Sequence, residues 1–190
     1  MFKRFIIPAA LIASLGLNVA GGTYSWKSLG NKKDEVLHLR EFCASFDLAP
    51  NFGTVERVVD GDTLKLTDGS TIRLLGPDTP EICHHTSSGS LRDVNCVEEP
   101  GGLAAKKFVE DLLTGEEIVF VGDDSIGSRD VFGRLLRYVY LQDRFVNMEL
   151  IAEGYAPLYD HLQKKTRFYD DFTEAEESAR VKKKGVWGDN

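Results

Sequence analysis

Two runs of β-forming residues, 63–67 and 71–75, meet at Asp68-Gly69, and each is flanked on its outer side by an acidic turn. Val59-Asp60-Gly61-Asp62 precedes the first run, and Gly76-Pro77-Asp78-Thr79-Pro80-Glu81 follows the second. Asp-Gly between two such runs is a strong two-residue hairpin signal, because both residues tolerate the left-handed backbone that tight hairpin turns require. A hairpin closed there brings its open ends together. Asp62, Asp78 and Glu81 then gather at one end of a sheet, with Arg73 on the second strand beside them.

That set of side chains suits phosphodiester hydrolysis. The oxygens of Asp62 and Asp78 match a hard divalent cation, Glu81 can take a proton from water, and Arg73 offers a planar fork of donors to phosphate. Taken singly, each turn has a structural explanation, since Asp, Gly, Thr and Pro form turns for local backbone reasons. Asp60 suits the turn better than a metal. Glu81, following Pro80, also suits the first turn of a helix, where the dipole favours an acid. Gly61 and Gly133 suit places that a side chain would obstruct. A third segment, Asp130-Val131-Phe132-Gly133-Arg134-Leu135-Leu136, adds a second arginine at the head of an apolar run. Alone, Arg134 reads first as a solvated cap on a strand.

With the motifs VDGDT (59–63), RLLGPDTPE (73–81) and DVFGRLLRYVY (130–140) in that order, the chain resembles the staphylococcal nuclease (thermonuclease) family from about Gly53 to Trp187. The resemblance implies calcium held by the carboxylates of Asp62 and Asp78 and the backbone carbonyl of Thr79. It makes Glu81 the water-activating base and Arg73 and Arg134 the phosphate-directed groups, Arg134 also assisting the leaving oxygen. The chain departs from the family around the bound nucleotide. The lysine and tyrosine expected just before the second arginine are Val131 and Phe132 here; Phe132 keeps a face on which a base can stack but has no phenolic hydroxyl. The clamp tyrosine expected after Gly154-Tyr155-Ala156 aligns nearest Tyr159 or Asp160.

Periodicity places strands at 54–59, 63–67, 71–75, 116–121 and 135–141, and helices at 102–113, 146–153 and 168–184. Five strands with helices packed on them form an α+β domain, a five-stranded OB-fold-like β-barrel with about three packed helices; the family resemblance implies the same architecture. The length of 190 residues, 42% of them hydrophobic, supports one good core. Lys3 and Arg4 followed by an apolar stretch to Ala20 read as a signal peptide or membrane anchor over 1–22. Residues 23–50 read as a linker with a short helix at 36–46, and 51–190 as the nuclease-like domain. A buried helix at the N-terminus is the structural alternative.

There are three cysteines. Cys83 and Cys96 are the expected pair, closing a loop directly after Glu81 and leaving Cys43 over. A zinc site from Cys83, His84, His85 and Cys96 lacks the paired short spacing of such sites. The chain carries 23 Lys and Arg against 30 Asp and Glu, a net charge of −7, a balance that counts against tight non-specific binding of long duplexes. Lys182-Lys183-Lys184 suits a helix C-terminus or a touch on nucleic acid. The sequence therefore predicts a calcium-dependent nuclease acting outside the cytoplasm on single-stranded DNA and RNA. A nuclease-like module that binds without cutting, and a disulfide-stabilised surface protein with a structural calcium, are the competing readings.

Overall fold

The computed structural model describes residues 50–83, 97–162 and 164–188. β1 (Asn51–Asp60), β2 (Thr63–Leu66) and β3 (Thr71–Leu74) form an antiparallel meander. β1 has irregular register between Val55 and Arg57 and again between Val58 and Asp60. Such bulges bend a strand and increase its twist, and here they let one strand serve two neighbours. The first four residues of β1 pair with β4 (Glu117–Val121), while Val55 to Asp60 pair with β2. β4 then pairs with β5 (Leu135–Leu141), and β5 runs parallel to β3 through Ile72–Leu135, Arg73–Leu136 and Leu74–Arg137. That last pairing closes a five-stranded barrel. β6 (Arg144–Phe145) extends the sheet beyond β5 by two residues.

The barrel interior holds Val55, Val58, Leu64, Leu66, Ile72, Leu74, Ile118, Phe120 and Val139, sealed by Val109 and Leu113 of α1 (Gly102–Leu113) and by Val146 and Leu150 of α2 (Val146–Ala152). A second core lies outside the barrel wall. Val119, Val121, Tyr138 and Tyr140 pack there against Ile151 and against Phe172 of α3 (Tyr169–Val181). β4 is buried on both faces, which explains its unbroken apolar run Ile-Val-Phe-Val. Tyr138, Phe145, Phe168 and Phe172 form an aromatic cluster in this second core, in which Tyr138 meets Phe145 and Phe168 edge-to-face, the latter with ring centroids 4.8 Å apart.

β1 starts three residues earlier than expected, at Asn51, several other ends shift by one residue, and two boundaries move for reasons visible in the backbone. The β2–β3 turn spans 67–70 instead of closing on Asp68-Gly69 alone: Leu66 N–H donates to Ser70 O, and Gly69 N–H donates to Leu66 O at a φ of +88°. Asp68 Oδ1 accepts from both Ser70 N–H and Ser70 Oγ, an Asx turn that stabilises the longer connection. α3 ends at Val181, not at Lys184. Lys183 enters the left-handed region (φ +51°), and Gly185 and Gly154 then cross so closely that a Cβ on either would lie within 2.3 Å of the other strand's backbone. Val186 N–H donates to Gly154 O at that crossing, and a short 3-10 turn, Gly185–Trp187, follows. The signal or anchor at 1–22 and the linker at 23–50 lie outside the described residues. No helix among the described residues is long and apolar enough to cross a membrane.

Two buried polar side chains tie these layers together. Asn147, 0% exposed, accepts from Val139 N–H at 2.8 Å and donates to Leu75 O at 2.8 Å and Arg137 O at 3.1 Å, so α2 is bonded to β5 and to the end of β3. Asp123 accepts from Ser125 N–H and Oγ, from Tyr138 Oη at 2.7 Å and from Arg167 N–H at 2.8 Å. Burial raises the Asp123 pKa, but the bonds from Arg167, Ser125 and Tyr138 outweigh it and leave the pKa below the ordinary value. The carboxylate consequently stabilises the fold above the usual carboxylate range, and that contribution is lost as pH falls through its folded-state pKa.

Asn147→Ala should cost about 3 kcal/mol or more, because each stranded buried backbone group costs about 1–3 kcal/mol; urea unfolding measures this, and an unchanged midpoint contradicts it. Asp123→Asn should lower Tm at neutral pH, with the gap to wild type narrowing as melts are repeated at successively more acid pH. A gap that is constant with pH contradicts the assignment of the charge.

Candidate active site

Thr63 and Arg73 are Cα partners across β2 and β3, and Leu74 N–H donates to Asp62 O, so Asp62 sits just ahead of β2 with Arg73 on the adjoining strand. Asp62 is 1% exposed. Its Oδ2 accepts from Thr79 N–H and from Thr79 Oγ1, both at 2.9 Å; its Oδ1 accepts from Thr63 Oγ1 at 3.0 Å and is ion-paired to Arg73. The other Arg73 amino group reaches Asp78 Oδ1. One guanidinium thus bridges a buried carboxylate and a half-exposed one. Gly61 belongs here for a packing reason: a Cβ at that position would lie 2.7 Å from Thr79 Cγ2 and 3.0 Å from Ala105 Cβ.

The second acidic turn is fixed from the other side by the segment after α2. Asp78 N–H donates to Pro157 O at 2.9 Å and Tyr159 N–H donates to Gly76 O at 2.8 Å, with Pro77 and Leu158 forming a bridge. Gly76 has a φ of +105°, and a Cβ there would strike the Phe172 ring at 2.5 Å. Tyr159 is thereby placed next to the turn, 41% exposed, with its ring edge-on to His161.

Glu81 lies in irregular chain ahead of α1, not in a helical first turn. Its N–H donates to Glu99 Oε2 at 3.1 Å and its carbonyl accepts from Glu99 N–H at 2.9 Å, a two-point grip on the backbone. Gly102 at the head of α1 packs against Pro80 and Glu81, where a Cβ would come within 3.0 Å of both carbonyls. The Glu81 pKa is raised, first by burial, then by the negative charges of Asp60, Asp62 and Asp78, with Arg73 opposing. Four carboxylates therefore share one neighbourhood.

Arg134 reaches this site from the loop before β5. Its Nε donates to Asp130 Oδ2 at 2.6 Å, and Nη1 approaches Thr63 Oγ1 at 3.5 Å, the hydroxyl that donates to Asp62. Asp130 Oδ1 also accepts the N–H groups of Phe132 and Arg134, so a single carboxylate shapes the turn and aims the arginine. Burial pushes the Asp130 pKa up, but its bonds to Arg134 outweigh that and lower it. Phe132 is 80% exposed, with the Arg134 guanidinium 5.4 Å from its ring centroid.

The structure thus brings together Asp62, Asp78, Thr79, Arg73, Glu81 and Arg134, and sets Phe132 and Tyr159 on separate loops. Among the described residues no three His, Cys, Asp or Glu side chains converge as a metal-holding group; Arg73 lies between Asp62 and Asp78 as their counter-charge. Sequence reasoning gave no role to Thr63, Glu99 or Asp130. The Asp-x-Phe-Gly-Arg spacing of an Asx turn was the available signal for Asp130. Cys83 is in a disulfide whose partner lies outside the described residues, as do Cys96, His84 and His85.

Thr79→Val removes one of the four polar contacts on the buried Asp62 carboxylate and should cost about 1–3 kcal/mol, whereas Phe132→Ala should leave stability unchanged. Equal denaturation midpoints for Thr79→Val and wild type contradict the contact.

Residues 71–189 match the family model for staphylococcal nuclease homologues. The thermonuclease of Staphylococcus intermedius is 30% identical over 154 residues, covering 76% of this chain and 80% of that protein. Two Bacillus subtilis proteins, the SPbeta prophage-derived endonuclease YokF and the endonuclease YncB, are 33% and 32% identical over 141 and 138 residues, or 72% and 70% of this chain. The chain spans 44% of YokF and 60% of YncB, less than two thirds of either. With the family's three motifs now at one end of a closed barrel, the chain belongs to the staphylococcal nuclease homologue family.

Proposed function

We propose that the protein is a calcium-dependent nuclease that hydrolyses phosphodiester bonds of DNA and RNA with little sequence preference, favouring unpaired strands. The observation that carries this reading is the meeting of Asp62, Asp78 and Glu81 with two arginines, Arg73 on β3 and Arg134 from the loop before β5. A purely structural turn has no use for repelling carboxylates beside a half-exposed base.

The donor set is all oxygen and fits a hard cation, with calcium the best match for flexible coordination. Asp62 and Asp78 would hold it through their carboxylates and Thr79 through its carbonyl, and the bound ion would supply positive charge that acidifies water and offsets the phosphate. Glu81 accepts the proton of the attacking water. Its raised pKa brings its basicity closer to what proton transfer near neutral pH requires. Arg73 and Arg134 donate to the phosphoryl oxygens as charge accumulates there, and Arg134 is assigned the further task of assisting the leaving oxygen. Thr63, bonded to Asp62 and approached by Arg134, sets the spacing between the two halves of the site. Phe132 and Tyr159 present exposed rings for unstacked bases, which supports a single-stranded substrate. The basic-then-apolar start over 1–22 supports action outside the cytoplasm, by export or membrane anchoring.

The test is hydrolysis of fluorescent single-stranded DNA and RNA by the full chain, with calcium and then with chelator. Glu81→Gln should lower turnover by about 10²–10⁴, Arg134→Ala by about 10²–10³, and chelation should abolish it. Cleavage that survives in Glu81→Gln overturns the base assignment. A folded protein that cuts nothing with calcium, magnesium or manganese overturns the nuclease reading in favour of a binding module.

A further inference from the structure

Residues 128–136 fold back on themselves as they lead into β5. Leu136 N–H donates to Ser128 O and Asp130 N–H donates to Arg134 O, both at 3.0 Å, and Arg129 bridges Leu135. Gly133, at a φ of +81°, closes the tip, where Val131 is 93% exposed. From Arg129 to Arg137 this arm carries three arginines and one acid, in a chain whose net charge is −7.

The single acid, Asp130, is taken by Arg134. Arg129 and Arg137 form no ion pair with any carboxylate among the described residues. Arg137 is half-buried and is met only by neutral oxygens: Nη1 donates to Ser128 O at 2.9 Å and Leu136 O at 2.7 Å, and Nη2 donates to Ser128 Oγ at 2.9 Å. Its Nε is buried without a hydrogen-bond partner. Burial, and then the like charge of Arg129, lower the Arg137 pKa. A half-buried cation facing another cation is costly unless an anion completes it.

Space for one exists. Arg137 and Ser128 line a cavity of about 330 Å³ together with Asn51, Gly122, Asp123 and Asp124. Asp123 is turned to Ser125, Tyr138 and Arg167, and Asp124 pairs with neither arginine. Arg129 is held beside the tip by donating to Gly133 O. One short arm therefore carries Arg134 at the acidic site and Arg137 at a separate cavity, with Arg129 near enough to Arg137 for their like charges to act on each other.

We propose that Arg129 and Arg137 form a second phosphate-binding subsite, which holds the backbone of a single-stranded nucleic acid at a phosphate other than the one being cut. The inference rests on the nuclease reading for the identity of the ligand. It gives an acidic protein a local means of gripping a polyanion, and it makes grip depend on strand length.

The experiment is a pair of measurements on an oligothymidylate of about twelve nucleotides: steady-state hydrolysis, and fluorescence anisotropy titration across a series of salt concentrations. Arg129→Gln and Arg137→Gln should each raise KM about tenfold with a smaller change in kcat, and each should reduce the log–log salt slope of binding by about 0.7, the value of one single-strand phosphate contact. Arg137→Lys should keep the salt slope. Arg129 is exposed, so its variant reads the subsite even where Arg137→Gln unfolds. Turnover by the wild type with unchanged KM and slope in the variants overturns the subsite and leaves the nuclease reading standing. A reduced slope in a protein without turnover overturns the nuclease reading and leaves the subsite standing.

Discussion

The carboxylate of Asp62 is the contact on which the rest of the site depends. It is removed from water, and such a charge is tolerated only when its lone pairs are filled. Thr79 supplies two donors, Thr63 one and Arg73 a charge. Those partners come from three pieces of chain: the start of β2, the middle of β3, and the turn that follows β3. Satisfying one buried anion therefore fixes the relative positions of both acidic turns. Asp78, which is half-exposed, has no comparable need, and its place follows from the Thr79 bonds and from the Pro157 carbonyl.

The site is made of loops, but the loops are anchored in a closed barrel. The β3–β5 pairing sets Arg73 beside Leu136, which is two residues past Arg134. Asn147 then bonds to Leu75 O, the last carbonyl before the Gly76-Pro77-Asp78 turn. A side chain on α2 thus determines where the second acidic turn begins, although it touches none of the reacting groups. Phe172 of α3 occupies the space that a Cβ on Gly76 would need. Packing at the back of the barrel and geometry at its front are coupled through these two contacts.

Much of this was legible in the sequence because the information is local. Alternation in 63–75, the Asp68-Gly69 turn and the apolar periods of 102–113 and 146–153 each report on neighbours a few residues apart. The failures concern distant pairs. The parallel closure of β3 on β5 joins Ile72 to Leu135, and no pattern within either strand names its partner. β6 is two residues long and carries no period. The end of α3 depends on a backbone crossing between Gly154 and Gly185, so the lysines at 182–184, good helix residues in themselves, do not extend it. The roles of Thr63 and Glu99 depend on residues far along the chain, Arg134 for the Thr63 hydroxyl and Glu81 for Glu99, which no local pattern names. Arg137 reads in the sequence as one more charge on a strand, and only the barrel shows that it faces Arg129 without an acid.

Net charge is a poor guide to what one part of a surface can bind, for a reason visible in the pairing. Several described acids are ion-paired internally: Glu149 to Arg144, Asp111 to Lys107, Asp130 to Arg134, and Asp62 and Asp78 to Arg73. A paired carboxylate contributes little field at a distance, since its partner cancels it within the screening length of about 8–10 Å at physiological salt. What a phosphate meets at close range is set instead by charges that lack a partner. On the arm leading into β5 the charges that form no ion pair with a described carboxylate are those of Arg129 and Arg137. Under the proposed subsite, an acidic protein presents a local cationic arm to a polyanion, and the total of −7 acts mainly as a long-range term that slows encounter at low salt.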